Sequence, residues 1–148
     1  MAETVDQRQL AVDLFNHTWE LLDKEDRSQA EDDEMIHAAH ASRYHWGLAG
    51  TALHLARGEW QISRVYSVLE RGEAALYHGK RSLDLCQENG FGDFDLAFAY
   101  EALARGYSVT GDEQSVAEYL GLAKEAGEHI SEKDDKEYFF SELESIEA

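Results

Sequence analysis

The stretch DLAFAYEALARGYSVTGDEQSVAEYLGLAKEA, residues 95–126, is the part of the sequence that indicates the fold most clearly. Its first half carries apolar residues at helical spacing, and its second half opens another apolar stripe of the same period. Between the halves stands the pair Gly111–Asp112, which ends one helix and precedes the next. Small residues let the two helices approach closely: Ala99, Ala102, Ala104 and Ala117. The stretch therefore predicts a helical hairpin, and it needs neighbouring hairpins to bury its remaining faces.

Similar apolar stripes predict five further helices, so that seven are expected in all. The first helix is expected over 5–23, and the second from about 31 toward 56 with a kink or break near Gly47 and Gly50. Gly58 separates the second helix from a third over 59–70. A fourth follows Arg71–Gly72 and ends at Asn89–Gly90, and Ser131 caps the last helix. The predicted fold is an all-α array of antiparallel helical hairpins.

The length and composition predict one domain, because 148 residues with 43% hydrophobic side chains and no proline suffice for one core. Within it we expect an N-terminal histidine-bearing hairpin over 1–57, one repeat over 58–90, a second over 91–130 and a capping helix over 131–148. A homodimer is a further expectation.

The chain is strongly acidic, with 31 Asp and Glu residues against 13 Lys and Arg residues and a formal net charge of −18. Such a chain repels phosphate backbones and anionic lipid head groups, so neither nucleic acid nor a membrane is an expected partner. Its single cysteine, Cys86, allows no disulfide within the chain. Because the chain shows neither a charged-then-apolar leader nor a run of about 18 apolar residues, a cytoplasmic location is expected.

An internal repeat supports the hairpin array, since Tyr66 and Tyr107 stand 41 residues apart in related contexts. The segment LARGYSVTGDEQSVAEYLGLAKEA, residues 103–126, resembles a tetratricopeptide repeat of the longer-period kind. Residues 62–86 resemble it more loosely, with Glu70 where a turn glycine is usual and Gly79 where a large apolar residue is usual. The resemblance covers residues 59–126. It implies a curved helical scaffold, often with a peptide-binding groove, and no chemistry.

Aromatic and arginine residues on the third and fifth helices predict the binding surface. In a stacked array the first helix of each hairpin lines the concave side, which here places Trp60, Arg64, Tyr100, Glu101 and Arg105 along a groove. Aromatic rings offer stacking surfaces, and guanidinium groups bind carboxylates in a bidentate manner. The alternative is that Arg64 or Arg105 pairs with Asp93 or Asp95 across the repeat interface and only sets the stacking of the hairpins.

A histidine-rich segment supplies a second hypothesis. Asp33, His37 and His40 lie on one line of a helix at spacings of four and three. If the first hairpin turns near residues 26 and 27, His17 comes level with His37 and Asp13 with His40. These five side chains could bind zinc, iron, manganese or nickel. Histidines satisfied within a helix seam are the more common arrangement.

No motif for nucleophilic catalysis or phosphate binding is present. The leading prediction is a non-catalytic binding protein that recognises a peptide or a small carboxylate-bearing ligand and needs no cofactor. The alternative is a metal-binding protein or metal-dependent enzyme that uses the histidine cluster.

Overall fold

Seven α-helices make up residues 5–147, the part of the chain that the computed structural model describes. They are α1 (Gln7–Leu22), α2 (Gln29–Ala49), α3 (Ala52–Val68), α4 (Gly72–Asn89), α5 (Asp93–Thr110), α6 (Glu113–Glu128) and α7 (Lys133–Glu147). Within this range there are no strands, which confirms the predicted all-α array. Residues 1–4 and 148, which the predicted domain includes, lie outside the described range.

Local sequence sets several of the helix ends. Ser28 and Glu31 form a capping box at the start of α2, each bonding the backbone N–H of the other. Gly90 and Gly111 end α4 and α5 in the left-handed conformation, with φ of 68° and 79°. Because only glycine adopts this conformation without steric cost, both ends could be predicted, and both are confirmed.

The boundary between α2 and α3 differs from the prediction that Gly58 separates them. The helix α2 ends at Ala49 and Gly50 is extended, which confirms the expected break near that glycine. Gly58 instead lies buried inside α3, where a Cβ atom would come within 3.1 Å of the Arg43 side chain on α2. A glycine costs about 1 kcal/mol inside a helix, and here it permits close packing of two helices. The predicted boundary at Gly58 is therefore wrong.

The start of α7 also differs from the prediction that Ser131 caps it. Ser131 lies two residues before the helix, and its hydroxyl donates to Asp93 Oδ2 at 2.7 Å. The contact ties the entry to α7 to the start of α5. The inward face of the last helix carries Phe139 and Leu143, which are buried, and Ile146, which packs against their cluster.

The helices pack as consecutive antiparallel hairpins in two layers. The odd-numbered helices contact one another in series, α1 with α3, α3 with α5 and α5 with α7, and form the inner layer. The last helix also contacts α6, so it closes the C-terminal end of the array. In the described residues, no helix has both the length and the apolarity needed to cross a membrane.

Candidate functional site

The predicted groove floor is an ion-pair network around Glu101, whose side chain is 0% exposed. Arg64 Nη2 donates to its Oε1 at 3.2 Å, and Arg105 Nε donates to the same oxygen at 2.7 Å. The indole N–H of Trp60 donates to the other carboxylate oxygen at 3.4 Å. We call Trp60, Arg64, Glu101 and Arg105 the Glu101 network. A buried carboxylate requires such donors, because burying an unpaired charge costs several kcal/mol.

The last helix, α7, supplies further partners to this network. Arg105 Nη2 donates to the carbonyl oxygen of Glu142 at 3.1 Å and to Ser145 Oγ at 2.9 Å. Arg64 Nη1 lies 3.8 Å from the Glu142 carboxylate. Both arginines are therefore engaged by groups of the chain itself.

Of the five residues predicted as the groove floor, four come together and one does not. Tyr100 belongs to apolar clusters and faces Tyr119 of α6, with their ring centroids 6.5 Å apart. The alternative pairing of Arg64 or Arg105 with Asp93 or Asp95 does not occur. Asp93 bonds Ser131, and Asp95 pairs with Arg57.

The five residues predicted as metal ligands are distributed along the first hairpin. His17 Nε2 lies 2.7 Å from Glu34, a hydrogen bond that raises the pKa of His17. Asp13 and Asp33 accept hydrogen bonds from glutamines four residues earlier, and His37 is exposed. Among the side chains that the structure describes, residues 5–146, no three His, Cys, Asp or Glu side chains stand where they could hold a metal ion together.

His40, the fifth of these residues, belongs to a cluster between α2, α3 and α4. Its Nε2 lies 2.8 Å from the Tyr66 hydroxyl, and its ring packs edge-on against His78 at 5.3 Å. His78 Nδ1 in turn lies 2.6 Å from Glu59. Burial, and then the nearby His78, lower the pKa of His40, so its neutral form is favoured. Sequence spacing gave no signal for this cluster, because His40 and His78 meet only through helix packing.

A second region of the inner layer forms a cleft of about 350 Å³, which we call the aromatic cleft. Four of its wall residues are aromatic, and they come from three inner-layer helices: Phe15 from α1, Trp60 from α3, and Phe94 and Phe98 from α5. Its other lining residues are Ala56, Arg57, Ser82, Cys86, Asp95 and Asp135. Trp60 thus lines the cleft with its ring while its N–H faces the Glu101 network.

The charged groups of the aromatic cleft are an ion pair and a single carboxylate. Arg57 donates to both oxygens of Asp95, at 2.8 and 3.2 Å, although its side chain is 49% exposed. This hydrogen-bonded pair raises the pKa of Arg57. Asp135, in the first turn of α7, is exposed.

The two residues of the cleft with nucleophilic side chains are not activated. Cys86 is fully buried, and this burial raises the pKa of its thiol to about 11, so the thiolate is scarce near neutral pH. The Ser82 hydroxyl donates to the carbonyl oxygen of Ala56 at 2.9 Å. The cleft therefore suits binding better than nucleophilic chemistry.

Part of the cleft could be read from the sequence. Trp60 follows Ala56 by four residues, and Phe98 follows Phe94 by four, so each pair shares a helix face. Phe15, Cys86 and Phe98 could not be assigned to a site in this way, because they lie on α1, α4 and α5 and meet only through helix packing.

Comparisons with protein-family models, with curated proteins and with solved structures found no match to this chain. The resemblance to tetratricopeptide repeats therefore remains a prediction from the sequence.

Proposed function

We propose that the chain is a non-catalytic binding protein that takes the apolar body of a small ligand into the aromatic cleft. The observation that supports this function is the cleft itself, with about 350 Å³ of space, four aromatic walls and three charged residues in its lining. Small-molecule sites in proteins typically have this size and this mixture of apolar lining with sparse polar groups.

The covering of the inner layer by α7 favours a small ligand over an extended peptide. The α3 and α5 residues expected to contact a peptide are bonded to one another and to α7. Beside them, Tyr138 of α7 packs against Phe98, with ring centroids 5.9 Å apart. A peptide on this surface would have to displace these contacts, whereas a ligand in the aromatic cleft would not.

The tetratricopeptide-like classification and the cytoplasmic location belong to the same proposal. Serial antiparallel hairpins and the 41-residue offset between Tyr66 and Tyr107 support the first. A single cysteine, buried as a free thiol, supports the second.

A screen of small aromatic compounds, read by thermal shift and by tryptophan fluorescence, tests the binding function. The informative variant is Phe94→Ala, which removes one aromatic wall, and Phe94→Leu keeps an apolar side chain should the alanine variant unfold. The matched control is Phe140→Ala, because Phe140 packs against the same core cluster but does not line the cleft.

We expect Phe94→Ala to weaken binding at least about ten-fold, as for a central aromatic contact, and Phe140→Ala to leave it within about two-fold. A screen without a single binder would overturn the proposal. Equal losses in Phe94→Ala and Phe140→Ala would also overturn it, since they would place the ligand elsewhere.

A further inference from the structure

The charges at the aromatic cleft carry information about its ligand, and the inference drawn from them rests on the binding function proposed above. Three charged side chains line the cleft: Arg57, Asp95 and Asp135. Two of them neutralise each other in the bidentate pair of Arg57 with Asp95. The lining therefore keeps one net negative charge, on Asp135.

Asp135 is placed to meet a ligand at the mouth of the cleft. Its carboxylate makes no hydrogen bond and no ion pair with the side chains described between positions 5 and 146, and it is exposed. Asp134 precedes it in the same first turn of α7, is equally exposed, and does not line the cleft. The two neighbours share the helix-terminus environment and differ in their position relative to the cleft.

We propose that the ligand of the aromatic cleft is a small aromatic amine whose ammonium group pairs with Asp135 while its ring lies between Phe15, Trp60 and Phe94. An ammonium group near aromatic faces also gains cation–π attraction.

A negatively charged ligand is disfavoured for two reasons. A carboxylate at the mouth would meet Asp135, and the charge of Arg57 is already neutralised by Asp95 in a two-bond pair. The net charge of −18 adds a long-range field that attracts cations and repels anions.

The space in the cleft selects a small amine over a basic peptide. About 350 Å³ accommodates one fused ring system with a short tail. Along the inner layer from Trp60, the surface continues into the Glu101 network, which α7 covers. A peptide chain would need that surface for its flanking residues.

A matched series of three indole compounds tests the charge assignment. Tryptamine, tryptophol and indole-3-propionate share the ring and carry an ammonium, a hydroxyl and a carboxylate. Binding of each to the full chain is measured by isothermal titration calorimetry at low and at high salt. The variant is Asp135→Asn, and the control is Asp134→Asn.

We expect tryptamine to bind more tightly than tryptophol, and tryptophol more tightly than indole-3-propionate, with the differences shrinking at high salt. Asp135→Asn should weaken tryptamine about two- to five-fold and leave tryptophol unchanged, the size expected for an exposed ion pair. Asp134→Asn should leave the affinity for both compounds unchanged, apart from the long-range effect of one lost charge, which high salt screens.

The outcomes separate this inference from the binding function. Equal binding of the three compounds, each weakened by Phe94→Ala, would keep the binding function and overturn the amine assignment. Tighter binding of indole-3-propionate would overturn the assignment in favour of Arg57 and a carboxylate ligand. Binding of none of the compounds, together with a screen without binders, would overturn both. Equal losses of tryptamine in Asp134→Asn and Asp135→Asn would place the ammonium group away from the cleft mouth.

Discussion

The Glu101 network and the aromatic cleft are neighbours on the same inner layer, and they differ in what covers them. Both join α3 to α5 through an arginine and a carboxylate, Arg64 with Glu101 in the first and Arg57 with Asp95 in the second. In the network α7 supplies further partners and the carboxylate is fully buried. In the cleft the arginine is half exposed and α7 contributes an unpaired carboxylate to the mouth.

Similar pairs of residues therefore have different roles, depending on whether α7 covers them. A buried carboxylate that loses its partners pays the cost of desolvation in full, so its partners maintain the structure. An exposed pair can exchange its partner for water, so it contributes little to stability and remains accessible to a ligand.

The largest expected effect is on stability, and it differs between Glu101, the partner of Arg64, and Asp95, the partner of Arg57. Glu101→Ala leaves the partly buried Arg64 and Arg105 without their central carboxylate and should lower the free energy of unfolding by about 3 kcal/mol. Asp95→Ala frees a half-exposed arginine to water and should cost less than about 1 kcal/mol. Urea denaturation of the two variants measures both values. Similar losses would mean that cover does not distinguish the two pairs.

An intermediate loss of stability should follow from disturbing the packing of α7 against α6. A Cβ atom at Gly127 would stand 2.5 Å from Phe139 and 2.9 Å from Phe140, so Gly127→Ala forces α7 away from α6. We expect a loss of about 1–3 kcal/mol, as for an overpacked core.

The matched control for this change is Gly121→Ala on the same helix. Nothing lies within 4 Å of the added Cβ there, so the change should raise stability by about 0.5–1 kcal/mol through helix propensity. Thermal denaturation distinguishes the two directions. A stable Gly127→Ala variant would show that α7 does not depend on close packing against α6.

The smallest effect concerns pH and compares His17 with His40. The pKa of His40 is lowered in the fold, so the unfolded chain binds its proton more readily, and the contribution of His40 to stability is lost as pH falls below about 6.5. The pKa of His17 is raised by its hydrogen bond to Glu34, so its contribution is present at low pH and lost as pH rises through the raised pKa.

Urea denaturation at pH 7.5 and 5.5 tests these opposite signs. On acidification, His40→Gln should lose less stability than the unaltered chain, and His17→Gln should lose more. Equal pH dependence in the two variants would contradict the assigned environments of these histidines.

Much of the fold could be predicted because it depends on local chemistry. The left-handed ends at Gly90 and Gly111, the helix break at Gly50 and the buried face of α7 all follow from residues close together in the chain. Gly58 could not be placed in this way, since its role depends on Arg43 of the neighbouring helix.

The sites were predictable only in part, for the same reason. Helical spacing and the hairpin repeat placed Trp60, Arg64, Glu101 and Arg105 along one predicted groove, and in the structure these side chains bond to one another. Spacing could not show that α7 would cover them, nor that His40 would face His78 in place of Asp13.

The seven-helix array, its acidic surface and the inner-layer position of the arginines and aromatic residues could all be predicted from the order of residues alone. These properties follow from helical periodicity, glycine conformation and composition, which are local or additive along the chain. Only the tertiary structure decided which charges are buried and which remain at a surface. The difference in burial arises because α7 packs against α5. Burial depends on contacts between residues that are distant in sequence and meet only in the folded chain.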